Sequence, residues 1–271
     1  MHNTKAIKNR SPERSPAAKT PETDLSAVKT LSKALEILDA FAAADGPLNV
    51  SEVALRSGVS RPTTHRLIHT LIAHGYLAQD GATGRIAPGY SILRLAGSLL
   101  DNNRLRLASL PHLEKLAQAT GERVNLGIAH RNHLLYLAGI EKPSLPTIYS
   151  RIGKTMPLYC SALGKAILAH SPEEVLKTYL RQESLVSHTD HTITDESGLR
   201  DELAKIRQDG FAVDREELMA GTVCLASAVL VSGRPVGALG LSGRSLESLL
   251  SHSRLVQHTA EVVAYMLGRS Y

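Results

Sequence analysis

The sequence predicts a multi-domain α/β chain: a small helical unit closed by a β-hairpin, then a larger domain of helices around one mostly antiparallel sheet. Three observations lead there. The chain has 271 residues, enough for two domains with separate cores. From Val28 to Pro88, helical periodicity punctuated by Gly and Pro gives way to two short extended pieces around Asp80-Gly81-Ala82-Thr83-Gly84. Beyond Val124, strand-length apolar runs separated by short turns are interleaved with helix-length stretches. With no Trp, two Phe and eight Tyr, both cores must rest on Leu, Ile, Val and Ala.

Residues 1–26 hold five Lys/Arg and three Asp/Glu among Pro, Ser and Thr, with almost no large apolar residue. Such a tail buries too little surface to offset its ordering entropy, and it is read as disordered. Residues 27–89 form the first unit. Leu31, Leu35, Leu38 and Phe41 follow at helical steps, and Gly46-Pro47 ends that helix. Ser51 is the expected N-cap of a short helix from Glu52 to Ser57, stopped at Gly58. Ser60 is the next N-cap, with Pro62 tolerated in the first turn, and that helix should run to about His74 before Gly75. Two helices separated by Ser57-Gly58-Val59 have the length and turn chemistry of a helix-turn-helix. Tyr76 to Gln79 and Arg85 to Pro88 then read as a hairpin, making the unit a winged helix-turn-helix.

Charge locates the working face. The net charge is only +5, yet no Asp or Glu occurs between Glu52 and Asp80, while Arg56, Arg61 and Arg66 fall inside that window. An acid-free basic stretch suits a polyanion. At 100° per residue, Thr64, Leu67, Ile68 and Leu71 gather on one side of the third helix. His65, Arg66 and His69 lie opposite, with Arg61 at the start of the helix and Thr63 at the edge, which is the face such a helix presents to the major groove of double-stranded DNA. Arg66 can bond a guanine edge or a phosphate; Thr63 and His65 are further candidates, and Arg85 of the wing can reach a flanking groove.

A helix from Tyr90 to about Leu100 carries Ile92, Leu95, Ala96 and Leu99, and residues 90–103 are read as a linker. The remainder, 104–271, is nearly neutral, with nineteen Lys/Arg against eighteen Asp/Glu from residue 99 onward. Val124 to Ile128 and Leu134 to Ile140 pair across Arg131-Asn132; Val223 to Val231 and Pro235 to Leu241 pair across Ser232-Gly233-Arg234. Helices are expected at 161–169, 172–180, 198–209 and 247–268. No apolar run approaches a membrane span, and the N-terminus lacks the apolar region of a secretory signal. With only two cysteines, Cys160 and Cys224, a cytoplasmic protein with reduced thiols is expected.

Catalytic motifs fail on inspection. Gly164-Lys165 lacks the first Gly of a phosphate-binding loop, since position 159 is Tyr, and Ala166 stands where Ser or Thr is needed. Gly240-Leu241-Ser242-Gly243-Arg244 misses G-x-S-x-G by its last residue. The twelve His show no zinc spacing, so neither catalysis, metal nor cofactor is expected. The alternative is a small-molecule-binding protein or enzyme whose winged helix serves protein contacts.

Leu31-Ser32-Lys33-Ala34-Leu35-Glu36-Ile37-Leu38 and Thr63-x-x-Arg66-Leu67-Ile68-x-x-Leu71 resemble the DNA-binding domain of the isocitrate lyase regulator (IclR) family. Met156 to Ala169, Asp214-Arg215-Glu216-Glu217 through Gly221-x-x-Cys224-Leu225-Ala226, and Gly240 to Gly243 resemble its effector domain. The resemblance covers nearly everything after the tail. It implies a GAF-like effector-binding domain, a homodimer or homotetramer, and a repressor, less often an activator, that binds palindromic operators of catabolic operons. Thr64 and Tyr159 depart from the family's usual apolar residue and His. The resemblance also places a small organic-acid effector among Ser161, Ala162, Leu163, Asp214, Cys224, Gly240 and Ser242. Free N–H groups at the start of the 161–169 helix suit a carboxylate. Simpler roles stay open: Ser161 as a cap, Cys224 as core, Asp214 as a turn cap or partner of an Arg.

Overall fold

The computed structural model describes residues 28–141 and 152–269, so the expectation of a disordered tail over 1–26 lies outside the described residues. Helix α1 (Lys29–Ala42) buries Ile37, Ala40 and Phe41 and leaves Leu31 and Leu35 more than half exposed. The expected stripe is thus buried only in its C-terminal half; the first two turns of α1 have no cover. Helix α2 (Val50–Ser57) starts earlier than expected because Asn49, not Ser51, is its cap. Asn49 Oδ1 accepts from the Ser51 and Glu52 amides at 2.9 and 3.0 Å, and Glu52 Oε2 accepts from the Asn49 amide at 2.7 Å, closing a reciprocal capping box. Gly58, at φ +69°, then turns the chain into α3 (Arg61–Ala73), whose N-cap position is Ser60.

Strands β1 (Leu77–Gln79) and β2 (Ile86–Pro88) form the wing, and Leu48 bridges Ile86 on its other side through two 2.8 Å backbone bonds. Ile37, Phe41, Leu48, Val53, Val59, Ile68, Leu77 and Ile86 make one core from three helices and the wing. Helix α4 (Tyr90–Asn102) follows, anchored where Ser91 Oγ donates to the His74 carbonyl at 3.0 Å.

Helix α5 (Arg104–Thr120) was not expected; Pro111 inside it hid its periodicity. It leads into β3 (Arg123–His130), β4 (His133–Ile140) and β5 (Thr155–Pro157). Helices α6 (Ala162–Ala169), α7 (Glu173–Gln182) and α8 (Glu196–Asp209) precede β6 (Ala212–Arg215), β7 (Val223–Val231) and β8 (Arg234–Gly243). Helices α9 (Leu246–Ser251) and α10 (Ser253–Gly268) replace the single expected final helix, which breaks at His252. The six strands form one fully antiparallel sheet in the order β5-β4-β3-β8-β7-β6. Arg131 and Asn132 both take positive φ, as the predicted two-residue hairpin turn requires.

Strand alternation gives the sheet two unlike faces. Val124, Leu126, Val213, Leu225, Leu239 and Leu241 join Leu113 and Leu116 of α5 and Val256, Ala260 and Val263 of α10. The opposite face carries Ala212, Ala226, Ala228 and Ala238 against α6, α7 and α8. Small residues there let α6 lie close to the sheet.

Candidate DNA-reading face and effector cavity

On α3 the polar face is open. Arg61, His65, Arg66 and His69 are exposed, Thr63 is half-buried, and the His65 and His69 rings meet edge-on at 4.5 Å. Thr64, the polar departure on the inner face, is fully buried, its hydroxyl donating to the Val59 and Ser60 carbonyls at 3.1 Å each. That satisfies the group a core threonine would otherwise leave unpaired. The wing tip is ordered by Asp80, whose Oδ1 accepts from the Thr83 amide and hydroxyl at 2.7 Å; these bonds hold its carboxyl below the usual carboxylate range.

Arg85 differs from the expectation. Its Nη2 donates to the Pro47 carbonyl at 2.6 Å and to Glu52 Oε2 at 3.3 Å, tying the wing to the capping box of α2. A guanidinium engaged in this way braces the domain rather than standing free for a groove.

In the larger domain a cavity of about 540 Å³ opens beside the N-terminus of α6. Ser161, Ala162, Leu163, Asp214, Cys224 and Ser242 line it, all named from the sequence. Gly240 does not: a Cβ there would strike the Leu225 carbonyl oxygen, so this glycine serves the close approach of β8 to β7. Arg123, Asn125, Tyr136, Met156, the loop from Leu218 to Thr222, Gly243 and Arg244 complete the wall. The polar residues of β3 were missed, although Arg123 and Asn125 alternating with Val124 and Leu126 is itself the signal of a strand with one polar face.

Register explains the clustering. Asp214 pairs with Cys224, Cys224 with Ser242, and Ser242 with Arg123, so the four form one row across β6, β7, β8 and β3. Two residues along, Asn125 lies between Gly139 and Gly240, neither of which has a side chain to cover it. Asn125 Nδ2 donates to Ser242 Oγ at 3.0 Å, and Ser242 Oγ lies 3.3 Å from Cys224 Sγ. Arg123 holds Glu141 through Nε and Nη2, both at 2.8 Å. Ser161 sits at the N-cap position of α6 but turns its hydroxyl to the Pro157 carbonyl at 2.8 Å, so it does not cap the first-turn amides.

Beneath the cavity lies a buried charge group. Lys165 Nζ, with no exposed surface, contacts Glu217 Oε1 at 2.5 Å and Glu202 Oε1 at 3.1 Å. Asp214 accepts from the Glu217 amide at 2.7 Å. Burial first, then the neighbouring Glu217 charge, pushes the Asp214 carboxyl up to about 7 against the pull of that amide and Lys165. Burial likewise raises the thiols of Cys160 and Cys224, which stay protonated. Tyr159 lies outside the cavity wall; its hydroxyl donates to the Val186 carbonyl at 2.6 Å, and burial raises its phenol. The substitution of the family's usual His therefore acts in the core. Among the described residues, no three His, Cys, Asp or Glu side chains are placed to hold a metal ion.

An exposed recognition helix beside a wing, carried on the same chain as a domain whose cavity sets a few polar side chains in a largely apolar wall, defines a DNA-binding transcription regulator. The IclR helix-turn-helix domain matches residues 30–81, and the bacterial transcriptional regulator IclR C-terminal domain matches residues 97–264. The chain belongs to the IclR family. It is 32% identical over 250 residues to the HTH-type transcriptional regulator BhcR of Paracoccus denitrificans, covering 92% of this chain and 88% of that one. The acetate operon repressor of Salmonella typhimurium is 32% identical over 234 residues, 85% of each chain. The crystal structure of Thermotoga maritima IclR superposes with a TM-score of 0.69 at 32% identity, covering 89% of this chain and all of that one. An IclR homologue from Microbacterium hydrocarbonoxydans, solved in complex with 4-hydroxybenzoate, shares the fold at a TM-score of 0.77 and 23% identity, over 89% of this chain and all of that one. These relatives are regulators of transcription, which removes the alternative of an enzyme. No helix among the described residues is long and apolar enough to cross a membrane.

Proposed function

We propose that this regulator is a cytoplasmic repressor of a catabolic operon, released from a palindromic operator by a small carboxylate. The observation that carries the reading is the pairing of an open, acid-free face on α3 with a cavity at a helix N-terminus in the second domain. Arg61, Thr63, His65, Arg66 and His69 would meet the major groove, with Arg85 holding the wing in place. Ser161, Ala162 and Leu163 would receive the carboxylate, and Asp214, Cys224 and Ser242 the rest of the effector. Repression is favoured because named relatives are repressors, the acetate operon repressor among them.

A palindrome requires two recognition helices, and the uncovered apolar residues supply a reason for assembly. Val28 at the N-cap of α1, Leu31 and Leu35 on α1, and Tyr90, Leu93, Leu95 and Leu99 on α4 are exposed, more than a solvated helix would offer. They support a homodimer or homotetramer built through the division proposed from sequence: 27–89 for DNA, 90–103 as linker, 104–271 for the effector. Effector binding would shift α4 and with it the spacing of two recognition helices, which must sit about 34 Å or a multiple apart. Capture and sequencing of genomic fragments at high salt tests the function. One enriched palindrome, lost on adding an acid metabolised by the neighbouring operon, is expected. Fragments no more enriched than random DNA would overturn it.

A further inference from the structure

Asn125 is buried, yet its Oδ1 has no hydrogen-bond partner. Buried polar atoms left in this state are uncommon, and this one belongs to a residue of the cavity wall. Its direction follows from its neighbours. Asn125 Nδ2 donates to Ser242 Oγ, and Ser242 Oγ lies 3.3 Å from Cys224 Sγ, whose partner in the strand register is Asp214. The amide nitrogen is held by its bond to Ser242, and the amide oxygen is the atom left over. Its partners on the two neighbouring strands, Gly139 and Gly240, set no side chain against it.

We propose that the effector is a carboxylate that also carries a hydroxyl or N–H donor, and that Asn125 Oδ1 is the acceptor that selects it. This rests on the reading of the cavity as a carboxylate effector site. An oxo acid or a plain hydrocarbon acid of the same size would leave the amide oxygen desolvated and unpaired. The loss is on the order of tenfold to a hundredfold in affinity.

The test uses the full-length protein at pH 8, where Asp214 is ionised, and titration calorimetry with matched probes: 4-hydroxybenzoate against benzoate, and lactate against pyruvate. The hydroxyl member of at least one pair should bind about tenfold tighter or more. Asn125→Leu should erase that gap by weakening the hydroxyl member alone, while Asn125→Asp, which keeps an acceptor, should retain it. Equal binding within both pairs, or a gap that survives Asn125→Leu, overturns the assignment and leaves the carboxylate reading standing. Binding of none of the four acids overturns both. Should Asn125→Leu fail to melt cooperatively, the wild-type pairs and the Asp variant decide.

Discussion

Replacing Asp214 by Asn should make the protein more stable at pH 8 and leave it nearly unchanged at pH 4. The carboxyl rises from 3.8 to about 7 on folding, chiefly through burial. Between those values the folded state keeps a proton that the unfolded state has lost, so stability falls as pH rises from about 4 to about 7 and is level above. At about 1.4 kcal/mol for each tenfold change in the proton equilibrium, the ionised residue costs the folded state about 4 kcal/mol at pH 8. Asn retains an oxygen for the Glu217 amide, which Asp214 Oδ1 now accepts at 2.7 Å. The attraction of Lys165 is already contained in the shifted value, so a net gain of about 4 kcal/mol at most is expected. Urea denaturation followed by circular dichroism at one protein concentration, from pH 4 to 8.5, reads the difference between wild type and variant. Curves that stay parallel across that range would show that Asp214 does not titrate in the way its surroundings dictate.

Three other substitutions probe separate parts of the molecule. Lys165→Met should cost about 3–5 kcal/mol, because Glu217 and Glu202 lose their buried cation; denaturation at pH 7 measures it. Arg66→Ala should weaken operator binding by about 1–3 kcal/mol in fluorescence anisotropy without moving the melting temperature, since the side chain is exposed. Asn49→Ala should open the capping box and cost about 1 kcal/mol, lowering the melting temperature of the DNA-binding unit by about 4–8 °C; an unchanged melt would show that Ser51 can take over.

Local signals in the sequence were legible where they are strong. Gly58, Gly75 and Gly210 all adopt positive φ at or just beyond helix ends, where the sequence placed stops. The hairpin turns at Arg131-Asn132 and Ser232-Gly233 likewise show in composition alone. What escaped depends on partners distant in the chain. The cap at Asn49 was masked by Ser51, which has the same chemistry two residues on. Arg85 reads as a free wing cation until Pro47 and Glu52 are seen beside it. Arg123 and Asn125 join the cavity only through β3–β8 register, which no local pattern specifies. Gly240 was misplaced for the converse reason: Ser242, two residues on and on the same face, lines the cavity, but close packing against Leu225 and Ala226 keeps Gly240 out of the wall.

The two faces of the sheet show what the cavity costs. One is filled by Val and Leu against α5 and α10, as stability requires. The other holds Arg123, Asn125, Ser242, Cys224 and Asp214 in two rows, beside the buried ion pair of Lys165 of α6 with Glu217. Apolar residues of similar volume at those positions would leave a domain as stable or more so. The polar rows therefore make sense as a site whose unmet bonds are completed by a ligand, and a ligand that binds only the folded state must return stability. At a hundred times its Kd, the true effector should raise stability by about 2.7 kcal/mol. An acid that fills the cavity but offers Asn125 no donor has a larger Kd and gives less at the same concentration, so melting shifts alone can rank candidate effectors before any operator is known.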